Sequence, residues 1–481
     1  MPSVPPTMLP LESRRLLAFD PAFAVPISGF GSQNVTDVAA DADGNVYAVG
    51  TISGSTEFNP ARNRNLELNT GTDGGGTGFI VKYTPAGVPL WAKSIPGRPA
   101  KVAIDSAGNA FVAGQFGDTQ DFDPSEGQAP LISGHDVEDG FLVKFGSAGG
   151  FLNANKFTAG HDTNVTGLAI DNDGYVVVAG TAEAGALEAS PLHGGEDHDD
   201  VHLDRGFVAK FTARARSLYV NVLAGDDGYA KTAGMAIDPT DGGVYVVGTA
   251  QAGVDLDPSH DGEAITSTGV NYLLKLDDAG ASVRHTAWDS ATVTPAAVAV
   301  DSAGNAYVVG GFEGTADFNP SSRRTYNLTA ESLGSAFVAK VSPTGGLVLA
   351  STFGAGGSVF ASTVAIRGDE VVIGGNFAGR ADFNPGPRAF RLTTSGSQDG
   401  FVARFDRNIV LRDALQYGNP TGESRPAIFL GRSGLIVGGS IAGGSAANGT
   451  GVVDFDPDPN NVLEITPRAN DGGEGFVVRY V

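Results

Sequence analysis

Not one of the 481 residues is cysteine, which excludes disulfides, cysteine nucleophiles and thiolate metal sites. Basic residues are scarce: 31 Lys and Arg stand against 54 Asp and Glu, a formal charge of −23. Such a surface repels phosphate backbones, so nucleic acid is set aside as a partner. No run of 18 apolar residues occurs, and no membrane span is expected. The patterns GxxxxGKS/T, HExxH and GxSxG are missing, so P-loop, zincin and serine-hydrolase readings have no support. The opening MPSVPPTMLPLESRRLLAFD lacks the apolar stretch of a secretory leader, since only Leu16, Leu17, Ala18 and Phe19 follow Arg14-Arg15.

What the chain has in plenty is glycine, 69 residues, spread among β-branched runs without a period of three. That composition points to many strands and many turns. A five-residue string, ADFNP, occurs at 316–320 and again at 381–385. Related strings are Glu57-Phe58-Asn59-Pro60, Asp121-Phe122-Asp123-Pro124, Asp255-Leu256-Asp257-Pro258 and Asp454-Phe455-Asp456-Pro457, with an eroded copy at Glu188-Ala189-Ser190-Pro191.

Two further markers recur seven times in the same order. One is an apolar run closing on Gly50, Gly114, Gly180, Gly248, Gly310, Gly375 and Gly439, at gaps of 64, 66, 68, 62, 65 and 64. The other is an aromatic-apolar-apolar-cation string ending at Lys82, Lys144, Lys210, Lys275, Lys340, Arg404 and Arg479. Three markers in seven registers define a repeat array.

Each repeat reads as four short strands. The first two are joined by a tight turn such as Ser106-Ala107-Gly108-Asn109, and the last two by another Gly-containing turn. The surplus length lies between the second and third strands, opening at the acid-Phe-Asx-Pro string. Radial repetition of four antiparallel strands predicts an all-β fold, a seven-bladed β-propeller with four-stranded blades. The last repeat ends at its third strand, and 22–30 resembles an orphan fourth strand. The ring is therefore expected to close by pairing Ala22–Phe30 beside Phe476–Tyr480, which removes two edges. Residues 1–21 form an N-terminal extension, export-related or disordered, and 22–481 the propeller. Small residues at Ala39, Ala103, Ala169, Ala236, Ala299 and Ala365 suit converging inner strands. Phe429 takes that place in the last repeat, as a plug or a packing variation.

The strings AFVAKVSPTGGLVLASTFGAGG (336–357) and AVDSAGNAYVVGGFEGTADF (299–318) resemble the SBBP repeat, a bacterial seven-bladed propeller family with variants carrying DFDP or DFNP after the second strand. LESRRLL at 11–17 resembles the LEPR-XLL segment of secreted bacterial proteins, with Ser13 where that pattern has proline. The resemblance implies an extracellular or cell-surface protein. It supplies no catalytic residues.

Function concentrates on loops held by a rigid scaffold, so the rim carrying the long insertions is the expected binding face. The acid-Phe-Asx-Pro string has two readings. In the structural one the Asx caps local backbone, proline fixes φ, and the aromatic anchors the loop in its blade. In the other, close oxygen ligands hold calcium, at Asp121, Asp123 and Asp139 and at the pairs Asp255/Asp257 and Asp454/Asp456. DADG (41–44) and DNDG (171–174) sit at tight hairpins, which favours turn chemistry. The repeated cations read as stems packed along a blade with heads paired to acids. The loop PLHGGEDHDDVHLDR (191–205) breaks the symmetry: His193, Glu196, His198 and His202 make a transition-metal set or merely an acidic loop.

The expected function is a non-catalytic binding scaffold for a protein, a glycan or an extracellular polymer, acting as a monomer. It requires no cofactor, calcium being the one candidate. The alternatives are an enzyme cleaving a polysaccharide or ester at the axial channel mouth, and a calcium-stabilised lectin-like module. Paired carboxylates for such an enzyme are invisible in sequence, because acids are plentiful and their separation is not encoded in spacing.

Overall fold

The computed structural model describes residues 19–59, 66–70, 77–123, 129–133, 138–157, 162–183, 204–214, 216–223, 229–251, 254, 256, 271–288, 292–319, 324–331, 334–418, 426–441, 452–456, 463–466 and 473–481. Among these the fold is all-β, without a helix. One four-strand order recurs along the chain. In the first unit Gln33–Ala40 pairs with Val46–Ile52, which pairs with Thr77–Tyr83, which pairs with Pro89–Ile95, all antiparallel. The second unit repeats this with Arg98–Ile104, Ala110–Phe116, Asp139–Phe145 and Phe151–Phe157. One parallel bridge, Arg205 to Ala230, joins the sheets of the third and fourth units.

The strand Ala22–Phe30 expected from sequence runs from Pro21 to Gly29 instead. It pairs antiparallel with Glu474–Tyr480, from Pro21 opposite Tyr480 to Ile27 opposite Gly475. Val481 N–H also donates to the Asp20 carbonyl at 2.9 Å. Phe19 is buried edge-on against Tyr480. The order Ala427–Gly431, Gly434–Ile441, Glu474–Tyr480, Pro21–Gly29 thus brings both ends of the described chain into one sheet.

The apolar residues sit between sheets rather than within one, because each strand's alternate side chains need a facing partner. One cluster joins Ile80 and Val49 of the first unit to Val112 and Phe141 of the second. Another joins Phe23, Val25, Ile436 and Val477 to Val35 and Val46. First strands lie against first strands: Gln33–Ala40 contacts Arg98–Ile104, and contacts continue through Thr163–Ile170, Ala230–Ile237, Val293–Val300, Ala355–Arg367 and Ala427–Gly431 to Gln33–Ala40.

Six of these seven first strands carry a β-bulge, Ala427–Gly431 being regular. The register slips between Val35 and Asp37, Pro99 and Lys101, Val165 and Gly167, Thr232 and Gly234, Pro295 and Ala297, and Ala361 and Thr363. The bulge explains the repeated glycine marker. A Cβ on Gly50, Gly114, Gly180, Gly248, Gly310 or Gly375 would collide with the carbonyl oxygen of the first-strand residue just before or at the bulge, such as Asn34 for Gly50. The fourth strands also bulge, at Leu90, Leu152, Leu218, Val283 and Val348, whose exposed side chains stand where a sheet edge would otherwise recruit another strand.

Candidate functional site

The insertions after the second strand form small hairpins: Ser55–Phe58 with Glu67–Asn69, Thr119–Asp121 with Pro130–Ile132, Thr315–Asp317 with Asn327–Thr329, and Val453–Asp454 with Glu464–Ile465. In the sixth unit Arg391–Thr393 joins the end of Glu370–Asp382. The aromatic of the acid-Phe-Asx string anchors each one. Phe58, Phe122, Phe318, Phe383 and Phe455 are all buried, and the last four lie 4.8–4.9 Å from Phe141, Phe337, Phe401 and Phe476.

The sequence reading gave the cap to the Asx, as Asn384 Oδ1 shows by accepting from Gly386 N at 2.8 Å, and the leading acid holds the loop as well. Asp121 Oδ1 accepts from Asp123 N at 3.1 Å and Ala129 N at 2.9 Å. Asp317, Asp382 and Asp454 repeat the pair of bonds, to Asn319 and Tyr326, Asn384 and Phe390, and Asp456 and Leu463. A carboxylate has two oxygens with lone pairs to spare, so it can hold both ends of the loop at once.

Of the calcium candidates, Asp139 begins the strand Asp139–Phe145, is buried, and pairs with Lys156 at 3.6 Å. Among the described residues no three His, Cys, Asp or Glu side chains gather as a metal-ligand set. Asp255, Asp257, His193, Glu196, His198 and His202 lie outside the described residues.

At the opposite ends of the strands, the repeated cations meet carboxylates of the first hairpin turn. Lys82 reaches Asp41 at 3.2 Å, Lys144 reaches Asp105 at 3.3 Å, Lys210 reaches Asp171 at 2.8 Å, Lys275 reaches Asp238 at 2.8 Å and Lys340 reaches Asp301 at 3.6 Å. Arg404 pairs with Glu370. Each of the five lysines also lies 4.4–5.2 Å from the ring centroid of Tyr47, Phe111, Tyr175, Tyr245 or Tyr307.

Several of these cations reach across to the next unit. Lys82 Nζ donates to the Ser147 carbonyl at 3.2 Å, Lys144 to Ala213 at 3.3 Å and Lys210 to Asp278 at 3.2 Å. Arg479 Nη1 donates to Pro85 at 2.7 Å, linking the last unit to the first. Burial works against the Asp41, Asp105, Asp238 and Asp301 carboxylates, yet their turn hydrogen bonds and lysine partners hold all four below the ordinary range. Burial likewise opposes the Lys210 and Lys275 ammonium groups, and their paired aspartates raise both above the ordinary value.

The first strands surround a cavity of about 920 Å³. The register places Asp37, Lys101, Gly167, Gly234, Ala297, Thr363 and Ala427 at one level of its wall. Glycine suits this level because the strands converge: a Cβ on Gly167 would run into Met235, and one on Gly234 would come within 3.2 Å of Ala297 Cα. Ala39, Ala103, Ala169 and Phe429 line the same space, and Phe429 packs against the clusters of the first two units.

Asp37 and Lys101 are the two charged residues lining this cavity, and both are only half-buried. Desolvation pushes the Asp37 carboxyl above its ordinary range, against the pull of Lys101 and of hydrogen bonds from Val102 and Val38 backbone N–H groups. The Val102 bond measures 2.9 Å. The pair stands two residues before Ala39 and Ala103 in the first-strand register, a position the sequence reading did not compare between repeats.

No protein-family model matches the chain. A curated relative, an uncharacterized WD repeat-containing protein of Acanthamoeba polyphaga mimivirus, is 32% identical over 153 residues, 30% of this chain. The match spans 11% of that protein's length, so it supports a repeat protein and nothing about activity. Among solved structures, a Synechocystis apocarotenoid oxygenase is similar at TM-score 0.35 and 11% identity, over 68% of this chain and 61% of that one. A protein of unknown function from Dyadobacter fermentans reaches TM-score 0.39 at 13% identity, covering 96% and 99%. Likeness at that level says nothing of this chain's chemistry.

Proposed function

We propose that the chain is a seven-bladed β-propeller closed by its N-terminal strand, and that it works as a non-catalytic binding scaffold. Support for the ring comes from the pairing of Pro21–Gly29 with Glu474–Tyr480, the Arg479–Pro85 bond and the run of first-strand contacts. The resemblance to SBBP repeats adds an extracellular or cell-surface setting. Ligands of this scaffold, a glycan, a protein or a matrix polymer, meet the insertion rim and the cavity it surrounds.

One observation carries the choice of binding over catalysis: Asp37 is the single carboxylate among the described cavity-lining residues. Glycoside hydrolysis by the usual route needs two, set about 5–10 Å apart. The repeated acids and cations elsewhere close turns and join neighbours. The test is surface plasmon resonance of the full chain against purified glycans and matrix polymers, with calcium and with chelator, followed by chromatography of the same mixtures. Saturable binding with the polymers recovered intact is the expected result. Release of cleaved products would overturn the non-catalytic reading.

A further inference from the structure

One insertion hairpin departs from the others in what it touches. Ser55–Phe58 pairs antiparallel with the N-terminal strand Pro21–Gly29, with Ile27 opposite Phe58, Ser28 opposite Glu57 and Gly29 opposite Thr56. With Glu67–Asn69 on its far side, the hairpin extends that sheet to six strands. Among the described residues, the hairpins that open at Thr119, Thr315 and Val453 stand as two-stranded sheets of their own, and Arg391–Thr393 pairs within its own unit.

The residues at the contact suit it. A Cβ on Gly29 would run into the Ser55 carbonyl oxygen, so glycine is what lets the two backbones meet. Phe30 N–H donates to the same oxygen at 3.0 Å. Asn59 takes a φ of 83°, a left-handed conformation that asparagine tolerates. From there its N–H donates to the Pro26 carbonyl at 3.4 Å and its Nδ2 to the Gly87 carbonyl at 3.0 Å. Gly87 lies in the turn between Thr77–Tyr83 and Pro89–Ile95, so Asn59 ties the N-terminal strand to the first unit. Phe58 is buried 5.3 Å from Phe79, in the cluster that also holds Phe23, Val25 and Ile27.

This strand needs a second grip for a topological reason. In the first unit a short turn ties the fourth strand to the third, so it stays near its place when its hydrogen bonds break. Pro21–Gly29 is held to Glu474–Tyr480 by pairing and packing alone, and detachment frees it to explore far more conformations. Ile27 is paired on both edges, opposite Gly475 and opposite Phe58. The strand therefore leaves the sheet only when both ladders break.

Building on the closed-ring reading, we infer that the first insertion hairpin is a clasp: it grips the outer edge of the closing strand, and strand and hairpin open as one cooperative unit. This hairpin is committed to holding the ring, and the remaining insertions are left to the binding rim.

The experiment is hydrogen–deuterium exchange of the full chain, read by mass spectrometry under native conditions. Thr70→Ala removes the Oγ1 that accepts from Gly54 N–H at 2.8 Å, which loosens the base of the hairpin away from the closing strand. Thr394→Ala removes the matching bond, from Gly379 N–H at 3.2 Å, in the sixth unit. Asn59→Gly keeps the backbone conformation accessible and deletes only the amide. Thr70→Ala and Asn59→Gly should each speed exchange across both Pro21–Gly29 and Ser55–Phe58, by about fivefold or more. Thr394→Ala should leave Pro21–Gly29 at the wild-type rate.

Faster exchange in the hairpin with Pro21–Gly29 unchanged overturns the clasp and leaves the closed ring standing. Equal acceleration of Pro21–Gly29 by Thr394→Ala overturns it too, because any loosened insertion would then do the same. Failure of the closed-ring reading is seen separately, as unprotected Pro21–Gly29 amides in the wild-type chain.

Discussion

Two sets of lysines sit in this fold under opposite regimes. Lys82, Lys144, Lys210, Lys275 and Lys340 recur at one strand position, and each meets an aspartate and an aromatic face. Lys101 has no lysine equivalent, lines a cavity, and among the described residues makes no hydrogen bond or ion pair. The first set holds turns closed and neighbours together. The second is left available. In a repeat protein, repetition of a charge marks architecture, and departure from the repeat marks the place to look for chemistry.

The largest expected effect tests whether the architectural side closes on itself. Removing residues 1–29 deletes the strand paired with Glu474–Tyr480 and the buried Phe23, Val25 and Ile27. At about 1.5–3 kcal/mol per buried side chain, the loss is about 5 kcal/mol or more. Urea denaturation followed by tryptophan fluorescence should show it as a collapse of the midpoint. An unchanged midpoint would mean that the strand is an ornament of the ring.

Next comes Lys210→Met. The lysine and Asp171 have side chains 3% and 2% exposed, so the substitution leaves a carboxylate buried without its counter-charge. Breaking such a pair costs about 3–5 kcal/mol, whereas Lys101→Met is expected to change stability by no more than about 0.5 kcal/mol. Equal losses in the two variants, measured by the same denaturation, would erase the distinction between them.

A smaller effect belongs to the insertion loops. Asp382→Ala removes the acceptor for Asn384 and Phe390 N–H groups, for a loss of about 1–2 kcal/mol. Asn384→Ala should cost less, since its side chain accepts one N–H, from Gly386. Scanning calorimetry that ranked Asn384 above Asp382 would contradict the cap.

The smallest is a matter of sign. Asp41, Asp105, Asp238 and Asp301 titrate below their unfolded values, so their stabilisation is present above about pH 4 and disappears as pH falls through the folded pKa values. Asp37 is raised, so its contribution runs the other way, present below about pH 4 and lost as pH rises through its folded value. Asp37→Asn should steepen the rise of stability with pH across that window. A shallower rise would show that Asp37 is stabilised, not penalised, by its surroundings.

Much of this architecture was legible in the residues themselves, because a repeated unit writes its constraints several times over. The glycine, aromatic and cation markers located strands, loop anchors and buried cations correctly. Their partners were less legible. Spacing could not show that the glycines answer to a bulged carbonyl, or that Lys82 reaches Ser147 of the next unit, since both depend on strand register and unit packing. The sequence reading gave the local cap to the Asx alone, and only the backbone path showed the leading acid holding both ends of the loop as well. Asp37 and Lys101 were hidden for the opposite reason: a site that departs from the repeat leaves no second copy to compare.

Chemical acylation of the lysines in the full chain, read by mass spectrometry, tests the division between committed and available charges most directly. Lys101 should react well before Lys82, Lys210 and Lys275, whose side chains are 7%, 3% and 8% exposed. Lys101 reacting as slowly as Lys210 would contradict that division.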